Sequence, residues 1–251
     1  MNGPPTWLAA GPLVIAHRGA SAQAPENTLP AFELAVKLGA EAVELDAKRT
    51  LDGHVVAFHD RTLVRTTGAE GSIAAWTLGE LRKLDAGAWK SEAFRGARIP
   101  TLSEVFETIG RRLLVNVELS DYGGAQDRLV ELIVDTVRAH RMADRVLFSS
   151  FDSWALAAAQ RMAPEIPRGH LFGPTPLAYR DLLRRRVPVA ALHPHESRVR
   201  PDRIAAAHRS RRRVHVYTVL DEERMRTFWS WGVDGLITDL PDLARRTRDQ
   251  R

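Results

Sequence analysis

The regular alternation of short apolar runs with amphipathic segments is the feature that most restricts the fold of this chain. From residue 113 onward, each apolar run is followed by a stretch with helical periodicity, such as AQDRLVELIVDTVRAHR (125–141) or DEERMRTFWSWG (221–232). The apolar runs are LLVNVEL (113–119), RVLFSSF (145–151), RGHLF (168–172), VAALHP (189–194), VHVYTV (214–219) and GLITD (235–239). Strands that alternate with helices form right-handed β-α-β units, so the pattern predicts a parallel sheet.

The first third of the chain adds two strands to this set and one strand that does not fit it. LVIAH (13–17) and AVELDA (42–47) flank the helical segment TLPAFELAVKLG (28–39). HVVAFHD (54–60) follows across an Asp-Gly turn, which is a strong hairpin signal, so we expect it to be antiparallel and appended to the sheet. Eight parallel strands remain. In a chain of 251 residues they predict a single domain over 1–251 with a TIM (β/α)8 barrel fold, whose usual size is about 250 residues.

Residues 61–99 interrupt the alternation with a turn-rich segment that contains two tryptophans. Thr77 and Glu80 have the spacing of a capping box, which predicts a short helix over Leu78, Leu81 and Leu84. A segment of this length between two barrel elements is typical of an insertion at the rim, so we expect a small lid or rim structure here.

Composition excludes several classes of protein. The chain has no cysteine, which excludes disulfides and thiolate metal sites, and no apolar run of about 18 residues that would predict a transmembrane segment. The N-terminal region lacks the features of a signal peptide, so we expect a cytoplasmic protein. The net charge is +5, but the arginines are scattered, with small clusters at 184–186 and 211–213. Such clusters suit solvated helix ends, and we expect no nucleic-acid partner.

Two carboxylates interrupt the apolar strand AVELDA. Glu44 and Asp46 are two residues apart and therefore share a face of the strand. They repel each other unless a cation lies between them; the alternative is that one of them caps the following turn. Glu118 favours the cation, because the ends of parallel barrel strands meet at one rim. Three carboxylates predict a site for one hard divalent cation, Mg²⁺ or Ca²⁺, with Mn²⁺ as a third candidate.

Two histidines end strands at the same rim. His17 ends the first strand and His59 ends the appended strand. A single histidine at a strand end is usually structural, but two imidazoles beside three carboxylates suit a general acid and a general base. Arg18 offers a planar donor fork for a phosphate or a carboxylate. Gly19 allows backbone N–H groups to approach an anion, although an ordinary turn explains it equally well.

These residues belong to a series of short motifs that resembles the glycerophosphodiester phosphodiesterase family. The resemblance runs in the family's order over about residues 13 to 245. The motifs are AHRG (16–19), PENT (25–28), ELD (44–46), TLDG (50–53), FHD (58–60), VNVE (115–118), FSSF (148–151) and GLITDLPD (235–242). The resemblance implies a barrel with a small insertion after FHD. It also implies hydrolysis of a glycerophosphodiester, a small-molecule substrate, to glycerol 3-phosphate and an alcohol.

The resemblance also assigns roles to individual residues of this chain. It implies that Glu44, Asp46 and Glu118 hold the metal ion. It implies that His17 and His59 are the acid–base pair and that Arg18 contacts the phosphate. Glu26 lies near the site in relatives, but a charge at a helix N-terminus explains it equally well. Asp239, followed by Pro241, has the pattern of an ordinary helix start and is not included in the predicted site.

Three positions depart from the family pattern. Where the family usually has Glu-x-Lys, the chain has Ser120, which keeps a hydrogen bond but loses a charge. A charged hydrogen bond contributes about 1.5–3 kcal/mol, so activity would fall by about one to two decades unless an arginine substitutes. Tyr217 replaces the usual tryptophan and keeps an aromatic wall, and Leu220 replaces an asparagine. Ser120 and Tyr217 are therefore predicted to bind substrate, with an altered preference.

Three alternative functions stay open at this level. The same residues could hydrolyse lysophospholipids, in the manner of related phospholipase D-type barrels. The Ser120 departure is compatible with a barrel that binds a phosphate ligand without turnover. The basic composition is compatible with nucleic-acid binding, which would show salt-sensitive affinity, although no recognised binding motif is present.

Overall fold

The computed structural model of the protein describes residues 6–8, 11–120, 128–174 and 187–250. The strands are β1 (Leu13–His17), β2 (Ala42–Arg49), β3 (Val55–Ala57), β4 (Leu114–Leu119), β5 (Val146–Ser150), β6 (Arg168–Phe172), β7 (Ala191–Pro194), β8 (Arg213–Val216) and β9 (Gly235–Thr238). The α-helices of the described residues are α1 (Leu29–Lys37), α2 (Val64–Thr67), α3 (Leu78–Leu81), α4 (Leu102–Ile109), α5 (Leu129–Ala139), α6 (Ser153–Met162), α7 (Pro201–Arg209), α8 (Glu222–Ser230) and α9 (Pro241–Asp249). The first arginine cluster, 184–186, lies outside the described residues.

Eight parallel strands form a closed barrel, as the alternation predicts. Around the ring the order is β1, β2, β4, β5, β6, β7, β8 and β9, and β9 pairs again with β1. The ninth strand, β3, is antiparallel to β2 and lies outside the ring, which confirms the predicted hairpin. Every strand of the closed ring pairs with a neighbour on both sides. The barrel therefore holds the ends of its strands in fixed positions.

Strand register sets which side chains meet at the rim. His17 is opposite Glu44, Glu44 is opposite Asn116, and Asp46 is opposite Glu118. The alternating residues on these strands point outward, where Val43, Leu45, Val115 and Val117 pack against the surrounding helices. Glu44, Asp46, Asn116 and Glu118 therefore face the interior of the barrel.

The insertion after β3 forms a small structure of its own at the rim. It contains α2, α3 and the 3₁₀ turns Ile73–Ala75 and Glu92–Phe94. Thr77 and Glu80 form the predicted capping box at the start of α3. An apolar cluster joins the insertion to β3 and the residue that follows it, and its buried members are Val56, Phe58, Leu63, Ile73, Leu81, Ala86 and Ile99. The insertion is therefore anchored to the hairpin beside the barrel.

Trp7 covers the opposite end of the barrel, among the first residues of the strands. The Trp7 side chain is 2% exposed, and its indole N–H donates to the carbonyl of Arg145 at 2.9 Å. Its ring lies 5.8 Å from that of His215, which is buried inside the barrel. Among the described residues, no helix is both long enough and apolar enough to cross a membrane.

Candidate active site

A cavity of about 190 Å³ opens at the C-terminal ends of the barrel strands. Seven of the eight side chains predicted from the sequence line it, namely His17, Arg18, Glu44, Asp46, His59, Glu118 and Tyr217. A larger cavity, of about 450 Å³, lies between the barrel strands and α7 and contains none of the predicted residues. The smaller cavity is the candidate site, because active sites of this fold lie at the C-terminal ends of the strands.

Three carboxylates converge at the wall of this cavity. One oxygen from each of Glu44, Asp46 and Glu118 lies within 4.8 Å of the others, and among the described residues this is the group that could hold a metal ion. Burial, reinforced by the charge of Asp46, raises the pKa of Glu118 to about 8 and also raises that of Glu44. A divalent cation bound to all three oxygens would remove this repulsion, so the donor set fits a hard cation.

Asp46 is held in its ionised form by its neighbours. Burial alone would raise its pKa, but the charge of Arg18 and a hydrogen bond from Asn27 bring the pKa below its usual value. The Asn27 side chain donates to the carboxylate at 2.9 Å and accepts the backbone N–H of Asp46 at 3.3 Å. Asn27 itself has a φ of 54°, a left-handed conformation that asparagine tolerates better than most residues.

The floor of the cavity is polar and lacks protein partners. The Asn116 side chain is fully buried, yet neither its amide nitrogen nor its oxygen bonds to another described residue, and the same holds for the hydroxyl of Ser149. Both side chains line the cavity. Buried polar atoms require hydrogen bonds, so the cavity must supply them through water, an ion or substrate hydroxyls.

His17 is oriented by an acidic residue that sequence analysis left out of the site. Its Nδ1 lies 2.6 Å from Oδ1 of Asp239, and its Nε2 lies 4.0 Å from Glu44. Burial would raise the pKa of Asp239, but the hydrogen bond and charge of His17, together with Ser21 and Arg18, bring the pKa below its usual value. An ionised carboxylate only accepts hydrogen bonds, so Nδ1–H of His17 donates to Asp239, and Nε2 is directed away from Asp239.

His59 has the same arrangement on the other side of the cavity. Its Nδ1 lies 2.6 Å from Oδ1 of Asp60, the next residue in the chain. Hydrogen bonds from Arg65 lower the pKa of Asp60 to about 2, so this carboxylate is also ionised. The sequence signal for Asp60 was present in the FHD motif, whereas nothing local marks Arg65 as its partner.

Arg18 and Gly19 form a tight turn directly after β1. Arg18 has a φ of 54°, its backbone N–H donates to Glu44 at 3.1 Å, and its Nε lies 3.3 Å from Asp46. Gly19 has a φ of +85°, and a Cβ there would lie 2.6 Å from the backbone of Ala31 in α1. Close packing against α1 therefore requires glycine at this position, in addition to the turn itself.

Ser120 is the predicted residue that does not line the cavity. Its hydroxyl donates to the carbonyl of Ala47 at 3.0 Å and accepts from Nζ of Lys48 at 3.3 Å. The same ammonium donates to the Ser120 carbonyl at 3.1 Å. Lys48 lies on the same face of β2 as Glu44 and Asp46 and is buried, but it does not line the cavity.

Aromatic residues form the wall opposite the carboxylates. Tyr217, which follows β8, packs edge-to-face against Phe151, which follows β5, with ring centroids 6.0 Å apart. The Tyr217 hydroxyl donates to the carbonyl of Phe172 at 2.7 Å. His193 on β7 is fully buried inside the barrel and is not among the residues that line the cavity.

Comparison with known proteins identifies the family. The model of the glycerophosphoryl diester phosphodiesterase family matches residues 17–243. The chain belongs to this family. A glycerophosphodiester phosphodiesterase of Caldanaerobacter subterraneus subsp. tengcongensis is 40% identical over 235 residues, which cover 92% of this chain and 95% of that protein. A glycerophosphodiester phosphodiesterase of Bacillus altitudinis is 32% identical over 241 residues, which cover 94% and 98%.

A solved structure within the same family has a very similar fold. The phosphodiesterase of Oleispira antarctica, determined in complex with the product sn-glycerol 3-phosphate, is 36% identical and has a TM-score of 0.89. The match covers 95% of this chain and 97% of that one. Family membership and these relatives make the chain an enzyme that hydrolyses phosphodiesters, which confirms the activity class implied by the sequence motifs.

Proposed function

We propose that the chain hydrolyses glycerophosphodiesters, such as glycerophosphocholine and glycerophosphoethanolamine, to glycerol 3-phosphate and an alcohol. The proposal includes one bound divalent cation and a pair of acid–base histidines. It is carried by one arrangement: three carboxylates within 4.8 Å of one another, between two imidazoles that each have an aspartate on Nδ1. The product bound to the Oleispira antarctica relative supports a substrate of this class.

Glu44, Asp46 and Glu118 would hold the cation. Their donors are all oxygen, and no cysteine exists in the chain, so Mg²⁺ or Ca²⁺ is favoured and Mn²⁺ is the third candidate. When bound, such an ion polarises a phosphoryl oxygen and offsets charge in the transition state. The unpartnered amide of Asn116 below the carboxylates offers further hydrogen bonds to water or to substrate hydroxyls.

The two histidines supply proton transfer. In each ring the Nδ1 proton is donated to an ionised aspartate, which fixes the ring orientation and leaves Nε2 to accept or donate a proton. One histidine removes the proton of the nucleophile, which is water or the substrate's own 2-hydroxyl. The other histidine protonates the leaving alcohol, and proton transfer of this kind contributes about 10²- to 10⁴-fold in rate.

Arg18 supplies positive charge for the phosphate, and Lys48 adds positive charge near Glu118. Arg18 lines the cavity beside the carboxylates and offers a planar donor fork to the phosphate oxygens. Lys48 adds a buried ammonium behind Ser120, within range to lower the pKa of Glu118. Lys48 therefore adds positive charge beside the carboxylate cluster, although it does not line the cavity.

The decisive experiment is release of glycerol 3-phosphate from glycerophosphocholine and glycerophosphoethanolamine. The reaction is run in excess EDTA and then with excess Mg²⁺, Ca²⁺ or Mn²⁺. We expect no release in EDTA and restored release with at least one cation. Release that is unaffected by EDTA would contradict the metal site, and absence of release with every cation would contradict the reaction.

Alanine variants test the acid–base pair. His17→Ala and His59→Ala should each lower turnover by about 10²-fold or more, because each removes a proton-transfer group. His54→Ala is the matched control, since the His54 side chain is 52% exposed at the start of the hairpin strand and does not line the cavity. Turnover within threefold of the control, about 0.7 kcal/mol, for either variant would contradict the assignment.

Lysophospholipids are a second candidate substrate class. Two large apolar side chains are exposed on segments that follow rim strands: Trp154 is 70% exposed after β5, and Leu220 is 48% exposed after β8. They could contact an acyl chain that extends from the cavity. Hydrolysis of long-chain lysophosphatidylcholine without hydrolysis of glycerophosphocholine would select this class, and binding of glycerol 3-phosphate without any turnover would select a non-catalytic barrel.

A further inference from the structure

The guanidinium of Arg65, in the insertion, lies between two carboxylates of the site. Its Nε and Nη2 donate to the two oxygens of Asp60 at 2.6 and 3.1 Å. Its Nη1 and Nη2 donate to the two oxygens of Glu26 at 2.7 Å each. One side chain therefore forms four charge-assisted hydrogen bonds, two to each carboxylate, which is a geometry that only a planar fork allows.

One of these carboxylates, Asp60, orients His59, which is predicted to transfer a proton. Oδ1 of Asp60 accepts both from Arg65 and from Nδ1 of His59, which lies 2.6 Å away. The His59 side chain is 42% exposed, so little packing fixes its rotamer, and Asp60 provides its orientation. Asp60 in turn is held by Arg65, because a free aspartate side chain would rotate about χ1 and χ2.

The other carboxylate, Glu26, orients Arg18, the residue that is predicted to contact the phosphate. Oε1 of Glu26 accepts from Nη1 of Arg18 at 2.9 Å and from Nη2 of Arg65 at 2.7 Å. Burial would raise the pKa of Glu26, but the hydrogen bonds from Arg65 and the charge of Arg18 lower it, so Glu26 stays ionised. Arg18 is thereby fixed at one end by Glu26 and at the other by Asp46, 3.3 Å from its Nε.

The insertion itself fixes Arg65 in place. The guanidinium carbon lies 5.9 Å from the ring centroid of Trp89, and the ammonium of Lys90 lies at the same distance from that ring. Nζ of Lys90 donates to the carbonyl of Ser21 at 2.7 Å, which connects the insertion to the loop after β1. Arg65 thus joins three separate segments: the insertion, the loop with Glu26, and the end of the hairpin strand.

We propose that Arg65 is a positioning residue, which through Asp60 and Glu26 holds His59 and Arg18 together in the orientation that the reaction requires. This inference rests on the proposed function. It assigns a catalytic purpose to the insertion, which contributes a side chain to the support of the site rather than only covering the rim. Arg65 itself contacts neither the carboxylate cluster nor, in this assignment, the reacting atoms.

Steady-state kinetics on glycerophosphocholine and product inhibition by glycerol 3-phosphate test the two connections separately. Arg65→Met should lower kcat by about 30-fold and weaken glycerol 3-phosphate inhibition by about 10-fold, since charged hydrogen bonds are lost on both sides. Asp60→Asn alone should lower kcat, and Glu26→Gln alone should weaken inhibition. Arg95→Met is the matched control, because Arg95 pairs with Glu92 within the insertion and away from the cavity.

Non-additivity distinguishes positioning from a general structural role. In the Asp60→Asn background, Arg65→Met should lower kcat by less than about threefold more, and in the Glu26→Gln background it should weaken inhibition by less than about threefold more. Arg65→Lys should restore only one of the two effects, because an ammonium cannot bridge both carboxylates in the fork geometry. Full additivity in both backgrounds, or complete rescue by lysine, would overturn the proposal.

The remaining outcomes are also decisive. If Arg65→Met has the kcat and the inhibition constant of Arg95→Met, Arg65 has no positioning role. If Arg65→Met fails to fold, the lysine variant and the two carboxylate variants decide by the same criteria. If the wild-type protein releases no glycerol 3-phosphate, the proposed function fails. In that case the role of Arg65 is tested by calorimetry alone, which compares the affinities of wild type and Arg65→Met for glycerol 3-phosphate. Equal affinities would overturn the role of Arg65.

Discussion

Acidification should destabilise the barrel through two histidines in its interior. His193 on β7 and His215 on β8 are 0% and 1% exposed, and Nε2 of His193 lies 3.1 Å from Nδ1 of His215. Burial lowers the pKa of His193 well below its usual value, and it lowers that of His215 from 6.5 to about 4. The charge of Asp234 opposes the shift of His215 and that of Arg213 adds to it, but desolvation dominates.

The sign and size of this change in the free energy of unfolding follow from proton linkage. Above pH 6.5, His215 is neutral in both the folded and the unfolded chain, and its contribution to stability is fully present. As the pH falls below 6.5 toward 4, the unfolded chain binds a proton that the folded chain excludes, so the free energy of unfolding decreases. At about pH 5 the drop is about 1.5 pH units at about 1.4 kcal/mol per unit, or about 2 kcal/mol for His215 alone.

Urea unfolding of wild type and His215→Asn at about pH 8 and about pH 5 measures the contribution of His215 to this loss of stability. Asparagine keeps a hydrogen-bonding group beside His193 but does not titrate, and groups that do not contact His215 contribute equally to both proteins. Wild type should therefore lose about 2 kcal/mol more than the variant on acidification. The exposed His54→Asn is the control and should match wild type. Losses that agree within about 0.5 kcal/mol between wild type and His215→Asn would refute the reasoning.

Three further substitutions have defined outcomes. Lys48→Met should raise KM for the diester about tenfold, because it removes a buried ammonium beside the carboxylate cluster. Initial rates over a range of diester concentrations measure KM, and an unchanged KM would contradict this role of Lys48. Gly19→Ala should lower the free energy of unfolding by more than about 2 kcal/mol in urea titrations, since its φ is +85° and a methyl group would overlap α1; wild-type stability would refute the packing argument. Asp239→Asn should lower kcat about 10²-fold with little change in KM, because His17 loses the carboxylate that fixes its Nδ1 proton; a wild-type kcat would show that His17 needs no such partner.

The fold was predictable because its signals are local. Each strand has its own apolar run, and the Asp52-Gly53 turn marks the hairpin within a few residues. The ends of the strands were less predictable. VHVYTV suggests a strand to residue 219, but β8 ends at Val216, and Tyr217 makes only an isolated bridge with His195. Tertiary packing at the rim determines where β8 ends, and the hydrophobic periodicity of the sequence carries no information about that packing.

The candidate site was partly predictable for the same reason. Glu44, Asp46 and Glu118 interrupt apolar runs, so their unusual positions are visible in the sequence, and their convergence follows from the barrel. Lys48 was not predicted, although it is the next residue on the face of β2 that carries Glu44 and Asp46. Arg65 was not predicted either, because its importance depends on how the insertion packs against loops that are distant in sequence.

The division of the cavity between two arcs of the ring has a consequence for how this enzyme can diversify. The carboxylates and His17 come from β1, β2 and β4, which are consecutive around the barrel, whereas Phe151 and Tyr217 follow β5 and β8 on the other arc. Substitutions in the aromatic arc can reshape the cavity without altering any of these acidic or imidazole groups. Under the proposed function, the size and polarity of the cavity can therefore change while the groups proposed for catalysis stay in place.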